Sequence, residues 1–264
     1  MKRPAIFFDR DNTLIASDGY LGDPAGVVLI DGAADAVARA RQYGYKVVTF
    51  SNQSGVARGM FTEEDVQAVN QRMSELLQQA NPSAVIEHHE YCPYHPEATV
   101  EKYKQDSFLR KPKPGMILQA AEKLSLDLTR SWVIGDAPRD IEAGRAAGCR
   151  TILFTDPKLP PSPAAEVESE IQPDFVVASL REAVETIARE SLCKPAAKPA
   201  PVPAHIPAPQ IEEPLPPAPA PAPATPSDDD PPSDTTELAD TPDSPAEQPM
   251  MEQTSTPVTP TPAA

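Results

Sequence analysis

The sequence predicts an α/β fold in which a Rossmann-like parallel sheet carries helices on both faces. Short apolar runs end abruptly at polar residues, which is the pattern of buried strands, and the first run spans residues 5–8 before Asp9. These runs alternate with longer segments of helical periodicity, as in β-α units whose strands lie parallel. The composition changes near residue 193, which predicts one globular domain, residues 1–192, and a disordered Pro/Ala-rich acidic tail, residues 193–264.

The first half of the domain alternates between β-branched strands and capped helices. The segment YKVVTF is rich in β-branched and aromatic residues and predicts a strand. Gly44 closes the helix before it, and Thr62 followed by three acidic residues is typical of a capped helix start. In chain order, the predicted elements are strand 5–8, helix 33–43, strand 45–50, helix 62–79 and strand 84–91.

The second half continues the same alternation after a loop. Prolines in the segment that follows the third strand predict a loop, because they cannot continue a helix or a central strand. Gly148 ends a helix and marks the turn into the next strand. The predicted elements are loop 92–114, helix 116–124, strand 131–134, helix 141–147, strand 150–154, strand 175–177 and helix 180–189.

The tail differs from the domain in both composition and charge. Residues 194–264 hold 21 of the 34 prolines and none of the chain's 7 Phe, 6 Tyr and 1 Trp. The net charge of −16 divides into −9 in this tail and −7 before it. Because neither part is basic, we expect no nucleic-acid partner and no anionic membrane. The tail is either a passive solvated segment or a docking segment for an unknown partner.

The cysteines and the apolar runs indicate the cellular compartment in which we expect the protein. Cys92, Cys149 and Cys193 are scattered and odd in number, which argues against a disulfide framework and fits a reducing environment. The apolar run near the N-terminus is too short for a signal peptide, and no stretch approaches the length of a membrane span. We therefore expect a cytoplasmic protein.

Polar side chains follow the predicted strands at one edge of the sheet, where parallel α/β sheets bind ligands. Carboxylates that converge there need a cation, and oxygen ligands suit Mg²⁺. One carboxylate can attack phosphorus, a second can protonate the leaving oxygen, and a hydroxyl and a lysine can stabilise the transferring phosphoryl group. The pattern thus predicts phosphoryl transfer through a covalent aspartyl-phosphate. The residues concerned are Asp9, Asp11, Ser51, Asn52, Gln53, Arg110, Lys111 and Asp136.

Four ordered motifs resemble those of the haloacid-dehalogenase-like phosphatases: DRDNT at residues 9–13, Ser51, Lys111, and Gly-Asp at residues 135–136. The longer stretches SNQSGVARG at residues 51–59 and RKPKPGM at residues 110–116 are similar to the D-glycero-D-manno-heptose 1,7-bisphosphate 7-phosphatase family, to which histidinol-phosphate phosphatases are related. The resemblance covers residues 4 to about 190. It implies a Mg²⁺-dependent phosphatase acting on a small phosphorylated sugar in lipopolysaccharide precursor synthesis.

The resemblance also implies roles for individual residues. Asp9 is the expected nucleophile and a metal ligand, Asp11 the acid and base that reaches the metal through its backbone carbonyl, and Asp136 the third ligand. Ser51 and Lys111 are expected to hold the phosphoryl group. The expected substrate-binding residues are Ser17, Asp18, Gly19, Tyr20, Asn52, Gln53, Ser54 and Arg110, together with Arg58, which either binds a second phosphate or is a solvated loop residue. Asp140 is an acid at a helix start that could support the site.

One departure from that family concerns zinc. Relatives often carry a zinc-binding loop with a Cys-Pro-His-His-Pro pattern and a later Cys-x-Cys, but here only Cys92 and His95 remain, beside Tyr94, Ser107 and Leu109. Structural zinc needs four ligands, so we expect no zinc in this protein.

Two alternatives stay open from the sequence alone. The first is a histidinol-phosphate phosphatase. The second is a non-catalytic protein that acts through its tail, which the filled catalytic positions disfavour.

Overall fold

A six-stranded parallel sheet forms the centre of the fold. The computed structural model describes residues 2–158 and 171–193. The strand order is β3-β2-β1-β4-β5-β6, and every neighbouring pair is parallel, as predicted. The strands are β1 (Ala5–Phe8), β2 (Lys46–Asn52), β3 (His88–Cys92), β4 (Trp132–Gly135), β5 (Arg150–Phe154) and β6 (Phe175–Val177). The helices are α1 (Ala33–Gln42), α2 (Ser54–Ala57), α3 (Glu63–Ala80), α4 (Gly115–Leu124), α5 (Pro138–Ala146) and α6 (Leu180–Cys193), with short 3₁₀ turns at Pro24–Gly26, Glu101–Tyr103 and Leu128–Arg130.

Apolar side chains fill both faces of the sheet. Successive residues of a strand point to opposite faces, so Ile6 and Phe8 enter one core while Ala5 and Phe7 enter the other. Helices α1, α3 and α6 cover the first face, and α4 and α5 cover the second. The near-continuous burial of β1 follows from this double cover. The predicted fold class is confirmed.

Local signals set the ends of the helices. Thr62 accepts a hydrogen bond from the amide of Asp65, whose carboxylate accepts from the amide of Thr62 in return, so α3 begins with a capping box. Gly44 takes a φ of 87° directly after α1, a left-handed conformation that glycine adopts without steric cost.

Three boundaries differ from the prediction by three residues or more. Strand β3 begins at His88 rather than at residue 84. The Glu87 carboxylate accepts a hydrogen bond from the Val47 amide at 2.7 Å, in the place where a strand would offer a backbone carbonyl. Helix α5 begins at Pro138 rather than at residue 141, because the Asp140 carboxylate caps the amide of Ala137 at 3.1 Å. Helix α6 continues four residues past the predicted end. The short helix α2 was not predicted.

Some expectations fall on residues that the structure does not describe. The predicted tail, residues 193–264, lies outside the described residues except for Cys193, so its disorder and the domain boundary remain predictions. Within the described ranges, no helix combines the length and the apolar character that crossing a membrane requires.

Candidate active site

A buried ion-pair cluster lies where the central strands end. Asp9 directly follows β1, and Lys111 reaches it from the loop before α4. The Lys111 Nζ atom lies 2.8 Å from Asp9 Oδ1 and 2.7 Å from Asp140 Oδ1, and none of these side chains is more than 2% exposed. Gly135 makes room for this arrangement, because a Cβ there would lie 2.5 Å from the Asp140 side chain. The site therefore joins three segments that are distant in sequence.

Burial and neighbouring charges shift the pKa values of Asp9 and Lys111. Burial raises the pKa of Asp9, and the opposing charge of Lys111 does not cancel that effect. Burial also acts against the charge of Lys111, but Asp140 and Asp9 outweigh it and hold the pKa of Lys111 above its ordinary value. Lys111 is therefore a firmly protonated cation next to Asp9, where negative charge would collect on a bound phosphoryl group.

Three carboxylates in this cluster suit a divalent cation. Asp9, Asp136 and Asp140 can place one oxygen each within 4.8 Å of one another. Oxygen donors without sulfur or nitrogen match the preference of Mg²⁺, so the residues fit that ion. The sequence predicted Asp9, Asp11 and Asp136, whereas the carboxylate group contains Asp140 in place of Asp11. The expected contact through the Asp11 backbone carbonyl remains a prediction.

The Asp11 carboxylate is held away from this group by other donors. The side chain of the buried Arg10 lies 3.2 Å from it, Ser51 Oγ donates to Asp11 Oδ2 at 3.1 Å, and Gln53 Nε2 donates to the same oxygen at 2.9 Å. Arg10 is anchored in turn by Asn70 on α3, at 3.2 Å. This network fixes the orientation of a carboxylate that lies two residues beyond Asp9, as a positioned acid and base requires.

Asn52 contacts the main chain of Lys111 rather than open space. Its Nδ2 donates to the Lys111 carbonyl at 3.1 Å, and its Oδ1 accepts from the Lys111 amide at 3.0 Å. The Lys111 ammonium also donates to the Phe50 carbonyl at 3.2 Å and lies 4.4 Å from the centre of the Phe50 ring. The end of β2 thus holds both the backbone and the side chain of Lys111.

The remaining predicted substrate-binding residues lie on loops and at helix ends. Ser17 Oγ donates to the Gly19 carbonyl at 3.0 Å and orders a turn in which Asp18 and Tyr20 are exposed. Ser54 begins α2 and the exposed Arg58 caps its end. Arg110 is half-buried: burial lowers its pKa, and the charges of Arg139 and Arg58 lower it further, while Tyr20 raises it. Tyr20 and Arg58 are therefore close enough to Arg110 for their charges to act on it.

The loop between β3 and α4 is fastened by protein contacts. Tyr103 donates from its hydroxyl to Glu63 Oε1 at 2.8 Å, and Tyr91 donates to Glu63 Oε2 at 3.1 Å. The backbone amides of residues 99 and 100 both bond to the Ala57 carbonyl at 3.0 Å. Burial raises the pKa of the Cys92 thiol, which lies 3.8 Å from the Tyr94 carbonyl.

Two contributors to the site escaped the sequence reasoning. Arg10 lies inside the DRDNT motif, but the sequence predicts no role for it, although it is 1% exposed and pairs with Asp11. Arg139 lies between Asp136 and Asp140 in sequence, and although burial acts against its charge, Asp140 and Asp9 raise its pKa. Its basic charge inside a motif of acids is the signal that would have drawn attention to it.

Known proteins match this chain in sequence. A family model described as HAD-hydrolase-like matches residues 108–183. A curated D-glycero-beta-D-manno-heptose-1,7-bisphosphate 7-phosphatase from Rhodopseudomonas palustris is 43% identical over 153 residues, which cover 58% of this chain and 84% of the relative. The protein of the same name from Escherichia coli strain K12 is 35% identical over 193 residues, which cover 73% of this chain and 97% of the relative.

Solved structures match the fold. A D,D-heptose 1,7-bisphosphate phosphatase from B. bronchiseptica, complexed with magnesium and phosphate, superposes with a TM-score of 0.61 at 28% identity and covers 71% of this chain and 99% of that one. A putative HAD-like phosphatase from Mesorhizobium loti gives a TM-score of 0.61 at 33% identity, with 71% and 87% coverage.

Proposed function

The chain belongs to the haloacid-dehalogenase-like hydrolases, in the family of the D-glycero-β-D-manno-heptose-1,7-bisphosphate 7-phosphatases, and from this premise we propose that it removes the 7-phosphate of that heptose bisphosphate. The observation that carries the proposal is the buried contact of Asp9 with Lys111, which pairs a nucleophile with a phosphate-binding cation. The reaction class, hydrolysis of a phosphoric monoester, follows from the family.

Asp9 begins the reaction as the nucleophile. Its Oδ1 accepts from the Arg10 amide at 2.7 Å and from Lys111 at 2.8 Å, so we expect Oδ2 to attack phosphorus. A bond forms between Oδ2 and phosphorus, the bond from phosphorus to the sugar oxygen breaks, and that oxygen leaves with the bonding electrons. Lys111 and the Ser51 hydroxyl stabilise the charge on the phosphoryl oxygens.

Asp11 moves the protons. In the first half-reaction its carboxylic acid donates a proton to the departing sugar oxygen. In the second, its carboxylate takes a proton from water as that water attacks phosphorus, and Asp9 and inorganic phosphate are released. The contacts of Asp11 with Arg10 and Gln53 support this role because they hold its carboxylate in one orientation.

Asp9 and Asp136 are the carboxylates that would hold Mg²⁺, together with the Asp11 carbonyl. Asp140 is the third carboxylate of the group, and like Asp9 it also contacts Lys111. When bound, Mg²⁺ would neutralise negative charge and so ease the approach of the carboxylate nucleophile to the phosphoryl group. Asp140 keeps Lys111 in place beside Asp9.

We also propose a cytoplasmic location, which the free thiols of Cys92 and Cys149 support. The small phosphorylated sugar is the proposed partner at the site, and no anionic polymer or membrane is expected. None of the relatives reported above favours a histidinol-phosphate phosphatase or a purely non-catalytic protein.

Phosphate release from a substrate panel tests the proposal. The full-length protein with Mg²⁺ is given the heptose bisphosphate, histidinol phosphate and other sugar phosphates, and kcat/KM is compared. We expect the heptose bisphosphate to be preferred by at least about tenfold, since a second phosphate adds charge-assisted hydrogen bonds. A preference for histidinol phosphate would overturn the substrate assignment, and no turnover of any phosphoester would favour the non-catalytic alternative.

A further inference from the structure

One phenylalanine packs between two segments that carry predicted substrate-binding residues. Phe61 lies in the turn between α2 and α3 and is half-buried. Its side chain meets Gly22 on one side, where an added Cβ would lie 2.6 Å from Phe61 Cβ and 2.7 Å from Phe61 Cγ. The far edge of its ring meets Gly55 of α2, where an added Cβ would overlap the ring atoms Cε1 and Cζ. Phe61 therefore fills the space between two backbones that approach it closely because neither has a side chain there.

The first of these segments is the loop at residues 17–22. The Ser17 amide donates to Asn12 Oδ1 at 3.0 Å, and Asn12 belongs to the DRDNT motif that supplies the proposed nucleophile. In the middle of the loop, Tyr20 is 49% exposed. The loop is thus tied to the site at its beginning by Asn12 and packed at its end against Phe61.

The second segment is α2, which is tied to the same site. Gln53 directly precedes α2, and its Nε2 donates to Asp11 Oδ2 at 2.9 Å. The Met60 amide donates to the Gly55 carbonyl at 2.9 Å and closes the turn onto α2. The capping box of α3 begins directly after Phe61. Because the backbone of Phe61 is fixed on both sides, its ring sets how closely the loop approaches α2.

A cavity opens beside this ring, between the same two segments. It has a volume of about 450 Å³, and its lining includes Tyr20 and Gly22 from the loop and Met60 and Phe61 from the turn. Met60 is 56% exposed, so two large side chains, Tyr20 and Met60, are left open to solvent at the cavity. Exposed apolar groups around a concave surface are typical of a place where a ligand is bound.

We propose that Phe61 is a positioning residue for the substrate. By packing on Gly22 and Gly55, it fixes the spacing between the loop that carries Tyr20 and the helix that ends at Arg58. This spacing holds the part of the substrate that lies beyond the transferred phosphate. The inference rests on the proposed function, because it assumes that these two segments contact the heptose bisphosphate.

A comparison of two substrates tests the inference. KM and kcat are measured with Mg²⁺ for the full-length native chain and Phe61→Ala, on the heptose bisphosphate and on p-nitrophenyl phosphate, which carries a phosphate but no sugar. We expect Phe61→Ala to raise KM for the bisphosphate by about tenfold or more and to leave kcat within about threefold. KM for p-nitrophenyl phosphate should stay within about twofold of the native value, because this substrate does not depend on the spacing.

A compensating pair of substitutions tests the contact itself. Gly55→Ala places a Cβ against the ring and should raise KM for the bisphosphate by about fivefold in the native chain. Phe61→Leu lacks the ring edge that meets Gly55 but keeps the Cβ and Cγ atoms that meet Gly22. In the Phe61→Leu background, Gly55→Ala should therefore change KM by less than about twofold, since the two sites are coupled.

Phe175→Ala is the matched control. Phe175 is also half-buried, but it lies on β6 with its ring 6.1 Å from that of Trp132. Its loss should lower the melting temperature and leave both KM values within about twofold of the native ones. Thermal melting and the rate on p-nitrophenyl phosphate verify that each variant is folded.

The outcomes separate this inference from the proposed function. If the native chain hydrolyses the bisphosphate and Phe61→Ala does so with an unchanged KM, the inference is wrong and the proposed function stands. An equal rise in KM for both substrates would also overturn it, as would independent effects of Gly55→Ala and Phe61→Leu. A native chain that does not hydrolyse the bisphosphate contradicts the proposed function itself.

Discussion

The side-chain amide of Asn52 forms two hydrogen bonds with the main chain of Lys111, one as donor and one as acceptor. Asn52 ends β2, and Lys111 follows a long loop, so this pair fixes where the loop re-enters the site. Because the amide spans both the N–H and the C=O of one residue, it sets the direction in which the Lys111 side chain leaves the backbone.

Asn52→Ala should lower activity by misplacing Lys111. We expect kcat to fall about tenfold or more, and the free energy of unfolding to fall by about 1–3 kcal/mol, because two hydrogen bonds are lost. Phosphate release and urea unfolding measure the two effects. Asn81→Ala is the control: Asn81 also makes two side-chain hydrogen bonds, to Asp35 and Ser83, but lies away from the site, so it should affect stability alone. Unchanged kcat in Asn52→Ala would contradict the positioning role.

Asp9→Asn should abolish turnover without unfolding the protein. An amide lacks the anionic oxygen that attacks phosphorus, so kcat should fall by at least about a thousandfold, or about 4 kcal/mol of barrier. The amide oxygen can still accept from the Arg10 amide, and Lys111 keeps Asp140. Released phosphate measures the loss, and thermal melting verifies the fold. A variant that keeps more than about a tenth of the rate would contradict covalent catalysis.

Asp11→Asn should separate the two half-reactions. Asp11 is the proposed proton donor and acceptor, and hydrolysis of the aspartyl-phosphate depends on it to activate water. We expect slow turnover and a trapped phosphoryl group on Asp9, detected by intact-protein mass spectrometry after acid quenching. Asp31→Asn, at an exposed carboxylate for which no role in the site is predicted, is the comparison and should trap none. Fast turnover in Asp11→Asn would remove Asp11 from the mechanism.

The strand pattern predicted most of the fold, and the motif order predicted where Asp9, Lys111 and Asp136 lie. Both depend on local sequence, since a strand that ends at a polar residue delivers that residue to one edge of a parallel sheet. Through-space pairs could not be predicted in this way. Arg10 donates a hydrogen bond to Asn70, sixty residues away in sequence, and Asp140 on α5 contacts Lys111 from the loop before α4. Packing rather than periodicity brings these segments together.

His89 should make stability depend on pH. Burial lowers the pKa of His89 to about 4, with the charges of His88 and Arg10 acting in the same direction. Its ring nitrogens pair with Thr49 at 2.7 Å and Ser74 at 3.0 Å. The unfolded chain therefore binds a proton more readily than the folded chain, so stability falls as the pH drops below about 6.5 toward about 4.

The size of this effect follows from the linkage relation. Between about pH 7.5 and about pH 5.5, His89 alone should cost about 1.3 kcal/mol of unfolding free energy. Urea unfolding of the native chain and of His89→Gln at both pH values isolates the contribution of His89, because all other groups titrate equally in the two proteins. If His89→Gln loses as much stability on acidification as the native chain, the assignment is wrong.

Tyr103 and Glu63 should contribute jointly to stability. The Tyr103 hydroxyl donates to Glu63 Oε1 at 2.8 Å, and burial and Glu63 raise the pKa of Tyr103. A double-mutant cycle of Tyr103→Phe and Glu63→Gln should give a coupling of about 1 kcal/mol in urea unfolding. Tyr43→Phe, at an exposed tyrosine, should show no coupling with Glu63→Gln. Additive losses would mean that this contact does not fasten the loop.

The same loop leads to a prediction about zinc. Cys92 is fully buried, and the His95 Nδ1 atom accepts the Glu97 amide at 3.0 Å, so both remaining candidates for metal ligands have protein partners. Ser107 Oγ accepts the Leu109 amide at 3.2 Å, and neither residue can supply a thiolate. Structural zinc requires four ligands, so Cys92 and His95 alone would bind it weakly, because ordering the loop costs as much free energy for two ligands as for four.

Purified protein should therefore hold no stoichiometric zinc by elemental analysis, and a zinc-selective chelator should leave its melting temperature unchanged while Mg²⁺ removal stops turnover. About one zinc per chain, lost together with stability on chelation, would overturn this and would require ligands beyond Cys92 and His95.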